Sequence, residues 1–195
     1  MSDQRIQLLL AARHGDQFAA GALWHRYAAR LVAYSRAILG ARGGEQDAED
    51  VVQSAFCRVL AVTESELSAV RDLDAWLAQI ARRTSLNWLR TNRRDAARRE
   101  HIALRPRNNL AAASDPDLAG AVDGLPVRLR EVIVLRHVGG LTFDQIELAT
   151  GINRNTAAAR YRFAIAHLRE SLDPVSTKLS HAVAATPRQN LVHHD

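Results

Sequence analysis

Along most of the chain the apolar positions return every three to four residues, the period of a helix face. From Ile6 to Leu39 this period is interrupted once, near His14-Gly15-Asp16, so the pattern predicts two helices there. Ala41-Arg-Gly-Gly44 reads as a loop. A helix over Asp47–Leu60 follows, with Asp47 as its cap, Asp50 three residues on, and an apolar stripe of Val51, Val52, Ala55, Phe56, Val59 and Leu60. Thr63 to Asp72 is polar and predicts a loop. Asp74 then caps a helix running to about Arg94 or beyond. Asn108 to Pro116 has the composition of a linker. Leu118 to Val138 reads as helix, with Pro126 suited to a first helical turn. Val132-Ile-Val-Leu135 alone could be a strand, but Leu125, Leu129 and Arg136 around it fit a helix better. After Asp173-Pro174 the pattern predicts a frayed tail, and the chain has no internal repeat.

Leu141 to Leu172 carries the most specific pattern. Thr142 is a good N-cap, and Gln145 three residues on completes a capping box. Phe143 to Thr150 forms a short helix, which Gly151 ends with a left-handed turn residue. Asn153-Arg-Asn-Thr156 opens a longer helix to about Leu172. Helix, tight turn and second helix make a helix-turn-helix, whose second helix enters the DNA major groove. At about 100° per residue, Ala157, Tyr161, Ala164, Ile165 and Leu168 share the side that should pack. Asn155, Thr156, Ala159 and Arg162 share the side that should meet DNA, with Arg160 toward one flank. Arg can read guanine and Asn adenine through paired hydrogen bonds, whereas Arg on phosphate only sets register. A helical hairpin with a solvated Arg face is the plainer alternative.

The helix after Asp74 is two-sided as well. Trp76, Leu77, Ile80, Ala81, Thr84 and Trp88 share one half of its wheel; Arg82, Arg83, Arg90 and Arg93 share the other with Gln79. Its two Trp residues could pack in the core or stack unpaired bases, and packing is the simpler expectation.

Charge sharpens this picture. The 195 residues carry a net charge of +5, with 47% hydrophobic and 5% aromatic residues. From Met1 to Ala81 eight Arg stand against ten acids; from Arg82 to Arg107 nine Arg stand against two. A basic block beside a mildly acidic one implies a polyanion partner for one surface only. The single Cys57 excludes an intrachain disulfide, suits a reducing cytosol, and is expected to pack within its helix. No signal peptide or long apolar span is evident, so the sequence predicts a cytoplasmic protein without membrane insertion. No His, Cys or acid cluster has metal-ligand spacing, and no cofactor is expected.

Three stretches, by their order and spacing, resemble the extracytoplasmic-function sigma factors, small specificity subunits of RNA polymerase. Asp47-Ala-Glu-Asp-Val-Val-Gln-Ser-Ala-Phe-Cys-Arg58 is similar to the helix by which that family docks on the polymerase clamp. Ala75-Trp-Leu-Ala-Gln-Ile-Ala-Arg-Arg83, continuing through Asn87-Trp-Leu-Arg90, is similar to the helix that handles the melted −10 element. Leu125-Pro-Val-Arg-Leu-Arg-Glu-Val132 and the helix-turn-helix resemble the −35-binding domain. The resemblance implies an all-α chain of two small helical domains joined by a flexible linker: 1–100 for polymerase clamp binding and −10 melting, linker 101–117, 118–173 for the −35 element, and a disordered tail 174–195.

It further implies that Asp47, Glu49, Asp50, Gln53 and Arg58 meet polymerase, and that Arg82, Arg83, Asn87, Arg90, Arg93 and Arg94 meet the −10 region. Arg154, Asn155, Thr156, Arg160 and Arg162 would serve the −35 element. Core RNA polymerase and promoter DNA are the implied partners, with an anti-sigma factor as a further one. The acids at the start of the Asp47 helix have a local role too, since carboxylates there complement the helix dipole. The segment between Ala61 and Asp74 lies where the family captures a flipped promoter base. Two departures stand out: Glu147 occupies the position where the family commonly has Ala, and Ala157-Ala158 follow Thr156 where a Lys often stands.

Two rivals differ in class. Leu8-Leu-Leu-Ala-Ala-Arg-His-Gly15 resembles the strand and Arg-His-Gly of histidine phosphatases, with His14 as nucleophile, but that chemistry needs an α/β sheet. A stand-alone helix-turn-helix regulator would usually dimerise on a palindrome, and no dimerisation seam is visible. The sigma reading makes the chain a non-enzyme that programs polymerase.

Overall fold

Two runs of helices, separated in sequence by the linker region, are pressed together in the computed structural model, which describes residues 2–98 and 116–172, with side chains for 4–92 and 118–172. The proposed linker 101–117, apart from its last two residues, and the proposed tail lie outside the described residues. The first run comprises α1 (Ser2–Arg13), α2 (Gln17–Leu39), α3 (Glu45–Ala61), the short α4 (Glu64–Ser68) and α5 (Leu73–Arg98). The second comprises α6 (Pro116–Gly124), α7 (Val127–His137), α8 (Phe143–Thr150) and α9 (Arg154–Leu172). Every regular element among the described residues is a helix, so the sheet that a histidine phosphatase requires is not there. No helix among them is long and apolar enough to cross a membrane.

Helix boundaries follow local chemistry. The break at Gly15 (φ 94°) is the predicted one, and Asp16 caps α2 by accepting from the Phe18 and Ala19 amides at 2.9 and 3.1 Å. Four expectations are corrected. The third helix begins at Glu45, so Asp47 is inside it and accepts from the Gly44 amide at 2.7 Å. The segment after Thr63 is not simply a loop: Thr63 and Glu66 form a capping box that starts α4. Asp72, not Asp74, caps α5 through the Ala75 amide at 2.9 Å, while Asp74 forms an ion pair with Arg5. The single helix expected over Leu118–Val138 is two, because Pro126 is the extended N-cap of α7 (ψ 137°) and interrupts the run.

In the first module α2, α3 and α5 pack on one another, and α1 crosses α2. In the second, α6, α7 and α8 surround α9. The modules share one core. Leu135 and Leu141 meet Tyr27, Leu31, Tyr34 and Ala78, and Ile146 and Ala149 belong to the same buried cluster.

Polar bonds cross the same seam. Glu131 of α7 is 6% exposed. Its Oε1 accepts from Tyr34 Oη at 2.9 Å and from Arg82 Nε at 2.7 Å. Gln145 Nε2 donates to Asp72 Oδ2 at 2.8 Å, and Arg30 to the Gly139 carbonyl at 3.4 Å. Burial, reinforced by the Glu131 charge, pushes the Tyr34 hydroxyl well above its usual pKa, so it remains a donor. Burial alone would lower the Arg82 pKa, but Glu131 more than offsets this and the net shift is upward.

A buried carboxylate that loses a donor keeps its desolvation cost. Tyr34→Phe should therefore lower the unfolding free energy by about 1–3 kcal/mol, measured by urea denaturation. A curve superimposable on the parent's would show that this hydrogen bond carries no stability.

Candidate nucleic-acid interface

The helix-turn-helix is built by its own side chains. Thr142 Oγ1 accepts from the Gln145 amide at 3.2 Å, and Gln145 Oε1 accepts from the Thr142 amide at 2.8 Å. Gly151 closes α8 at φ 74°, ψ 5°, a left-handed conformation that Cβ disfavours. Asn153 Oδ1 accepts from the Asn155 amide at 2.8 Å as α9 begins. Glu147, at the position where the family commonly has Ala, is half-buried. Its carboxylate accepts from the Arg154 amide at 3.0 Å, so it satisfies an orphan donor and places negative charge at the positive end of α9.

The wheel of α9 sorts as its sequence predicts. Ala157, Ala164 and Leu168 are buried, with Tyr161 and Ile165 half-buried beside them. Tyr161 Oη lies 3.1 Å from His137 Nε2, and its ring meets Phe143 edge-on. Asn155, Thr156 and Arg162 are exposed, and Arg160 is half-buried at the flank. Arg154 is exposed too, with its guanidinium 3.4 Å from Asp144. Both groups are open to water, so that pair contributes little.

On α5 the expected core half is buried or half-buried: Leu77, Ala81 and Thr84 are buried, with Trp76, Ile80 and Trp88 partly covered. Trp76 packs on the main core and Trp88 on Leu39, Ala48 and Val51, in keeping with the packing expected of both. The basic half divides. Arg83, Asn87 and Arg90 are exposed, with Arg90 donating to Asn87 Oδ1 at 3.1 Å. Arg82 instead turns to Glu131 in the seam. Arg93 and Arg94 lie on α5, but their side chains fall outside the described residues.

Of the acidic helix, Asp50, Gln53 and Arg58 are exposed, while Asp47 and Glu49 are half-buried and Asp47 holds the helix start. A groove between α3 and α5 brings Asp50, Ser54 and Arg58 alongside Asn87, Trp88 and Arg90. Cys57 is exposed, contrary to the packing expected of it, because α3 buries its Val52, Phe56 and Val59 side instead. His14 lies at the helix break and lines an open groove with Ile6, Leu10, Glu64 and Ser68. Among the described residues no group of three or more His, Cys, Asp or Glu is placed to hold a metal ion. Glu131 and Tyr34 were missed in the sequence. The only signal was an acid directly before the apolar run Val132–Leu135 of α7.

Comparison with known proteins agrees with this arrangement. Residues 23–95 match the family model for Sigma-70 region 2, and residues 117–168 match that for Sigma-70 region 4. The chain is 30% identical over 129 residues to the ferric citrate uptake sigma factor FecI of Escherichia coli K12, covering 62% of this chain and 73% of FecI. To RNA polymerase sigma factor SigV of Bacillus subtilis it is 29% identical, covering 66% and 77% of the two chains. CnrH, solved in complex with the cytosolic domain of CnrY, superimposes with a TM-score of 0.59 at 25% identity, over 86% of this chain and 96% of that one. The sigma factor RpoE of Bartonella quintana, solved with the anti-sigma factor NepR, shares the fold with a TM-score of 0.60 at 20% identity, over 78% and 97%. With both sigma modules in order, an all-helical architecture and a helix-turn-helix whose polar face is open, this chain belongs to the RNA polymerase sigma factors of the extracytoplasmic-function type, regulatory subunits that bind core polymerase and direct promoter recognition and transcription initiation.

Proposed function

We propose a division of labour among three surfaces. Asp50, Gln53 and Arg58, flanked by Asp47 and Glu49, meet core polymerase. Arg83, Asn87 and Arg90, continued by Arg93 and Arg94, follow the melted −10 strand. Asn155 and Arg162 read the −35 element, while Arg154, Thr156 and Arg160 hold the backbone. The observation that carries the reading is the sorting of α9, which buries Ala157, Ala164 and Leu168 and leaves Asn155, Thr156 and Arg162 in water. Module limits of 1–100 and 118–173 accord with this division. The chain itself catalyses nothing; the core enzyme carries out phosphoryl transfer, in the cytoplasm where polymerase and promoter meet. An anti-sigma factor is a further proposed partner, because RpoE of Bartonella quintana, which shares the fold, was solved with the anti-sigma factor NepR.

Elements at −35 and −10 stand about 25 base pairs apart by position, roughly 85 Å of duplex at 3.4 Å per step. A globule of this length has a radius of gyration of only about 16 Å. The packed modules cannot reach both elements, so they part on the promoter. The segment 101–117 can then span up to about 60 Å when extended. Arg82 leaves Glu131 in that step and joins the −10 face.

Three outcomes test these assignments. Asp50→Arg should weaken binding to core polymerase at least about tenfold, a loss of ~1.4 kcal/mol, with the helical signal intact because Asp50 is exposed. Unchanged affinity in a fluorescence titration removes α3 from the docking surface. Arg90→Ala should weaken permanganate reactivity of the melted strand and reduce the log–log salt slope of binding by roughly 0.7–0.9; a normal footprint counts against the −10 assignment. Asn155→Ala and Arg162→Ala should each erase about 1–3 kcal/mol of base discrimination at one −35 position. Uniform loss on all sequences would make both phosphate clamps.

A further inference from the structure

Phe163 is the most exposed large apolar side chain of the second module among the described residues, at 69%. It takes no part in the Tyr161–His137–Phe143 aromatic group, which lies on the packing side of α9. Its helical phase is what matters. Phe163 stands one turn beyond Ala159 and within about 40° of it on the wheel. Exposed Thr156 lies within about 20° of it on the wheel, and Arg160 within about 60°. It therefore projects from the face proposed to meet DNA.

The chemistry of that face narrows what the ring can meet. Phe offers no hydrogen bond, so it cannot hold a phosphate or read the polar edge of a base. In the major groove the one apolar feature a base presents is the C5-methyl group of thymine. Ala159, one turn before the ring, extends no further than Cβ, so the helix can approach the base edges at this point and bring the ring within contact distance. A ring left facing water gains nothing, whereas covering a methyl group removes apolar surface from both partners.

We propose that the Phe163 ring packs on the methyl group of one thymine in the −35 element and so adds an apolar determinant to promoter choice. This inference rests on the proposed −35 role of α9. It predicts a specific base position that is sensitive to one methyl group and to one side chain together.

The test uses the full chain and duplexes carrying a −35 element selected from random sequence. Each thymine is replaced singly by uracil, which deletes only the methyl group. In the parent, one replacement should weaken binding about fourfold, the equivalent of ~0.8 kcal/mol per buried methyl-sized group. In Phe163→Ala that replacement should have no effect, and Phe163→Leu, which keeps an apolar side chain, should retain a methyl effect. Because Phe163 is exposed, both variants should keep the parent's helical signal. If Phe163→Ala and the parent lose the same affinity at every position, or if uracil never matters to the parent, the inference is overturned. Asn155→Ala and Arg162→Ala, measured alongside, separate the two failures. A changed base preference in those variants with Phe163 silent leaves the −35 face standing and removes only the ring contact. Unchanged preference in all of them removes the −35 assignment itself, and the inference with it.

Discussion

One carboxylate joins the two halves of this protein. Glu131 has lost nearly all its water, and a charge in that position is tolerable only when donors replace the solvent. Tyr34 of α2 and Arg82 of α5 supply them, so an acid of the second module is held by two helices of the first. The requirement is mutual. Tyr34 is buried and needs an acceptor, and Arg82 sits where burial alone would oppose its charge. Leu135, Leu141 and Ile146 close apolar surface around this polar knot. The seam is consequently specific in register, because a shift of α7 by one residue would leave three polar groups unpaired.

That seam also explains why the basic residues of α5 are unequal. Arg82, Arg83 and Arg90 look alike in sequence, yet Arg82 is engaged by a carboxylate whereas Arg83 and Arg90 are open. The α9 face proposed to meet the −35 element is not covered in the same way, since α9 packs on α6, α7 and α8 and leaves its polar side outward. The closed arrangement therefore engages one Arg of the proposed −10 surface and leaves the proposed −35 surface open. Arg82 is bound to an anionic oxygen, the kind of acceptor that a phosphate of a nucleic-acid strand would also offer it.

A second theme is the use of acids at helix starts. Asp16, Asp47, Asp72 and Glu147 each accept from a backbone amide that would otherwise be orphaned. For Asp47 this local work coexists with the proposed docking role, whereas Asp50, one turn on, accepts from the Gln46 side chain at 3.4 Å rather than from a backbone amide and is exposed. Exposure separates the structural from the available acid where residue type does not. Glu147 shows the same economy: it departs from the family's usual small residue, and its carboxylate ties the end of one helix to the start of the next.

The helices were legible in the sequence because a 3.6-residue apolar period and the capping residues are local properties. Thr142, Gln145, Gly151 and Asn153 specify the helix-turn-helix within a dozen residues, and each acts as its chemistry predicts. The burial of Ala157, Ala164 and Leu168 and the exposure of Asn155 and Arg162 followed from phase alone. Boundaries were less secure where two residues competed for one task, as with Asp72 and Asp74, since either can cap and only the packing of Arg5 draws Asp74 away. Cys57 was misjudged for a similar reason: its helix was right, but which flank of the stripe meets the core depends on where α2 and α5 lie. The pairing of Glu131 with Tyr34 and Arg82 spans 97 and 49 residues, and no periodicity encodes a contact at that separation. The sequence by itself thus determined most of the helices, their faces and the family. Only the tertiary structure decided which charged residues are spent within the protein and which remain for its partners, because that depends on the water each one loses when distant helices meet.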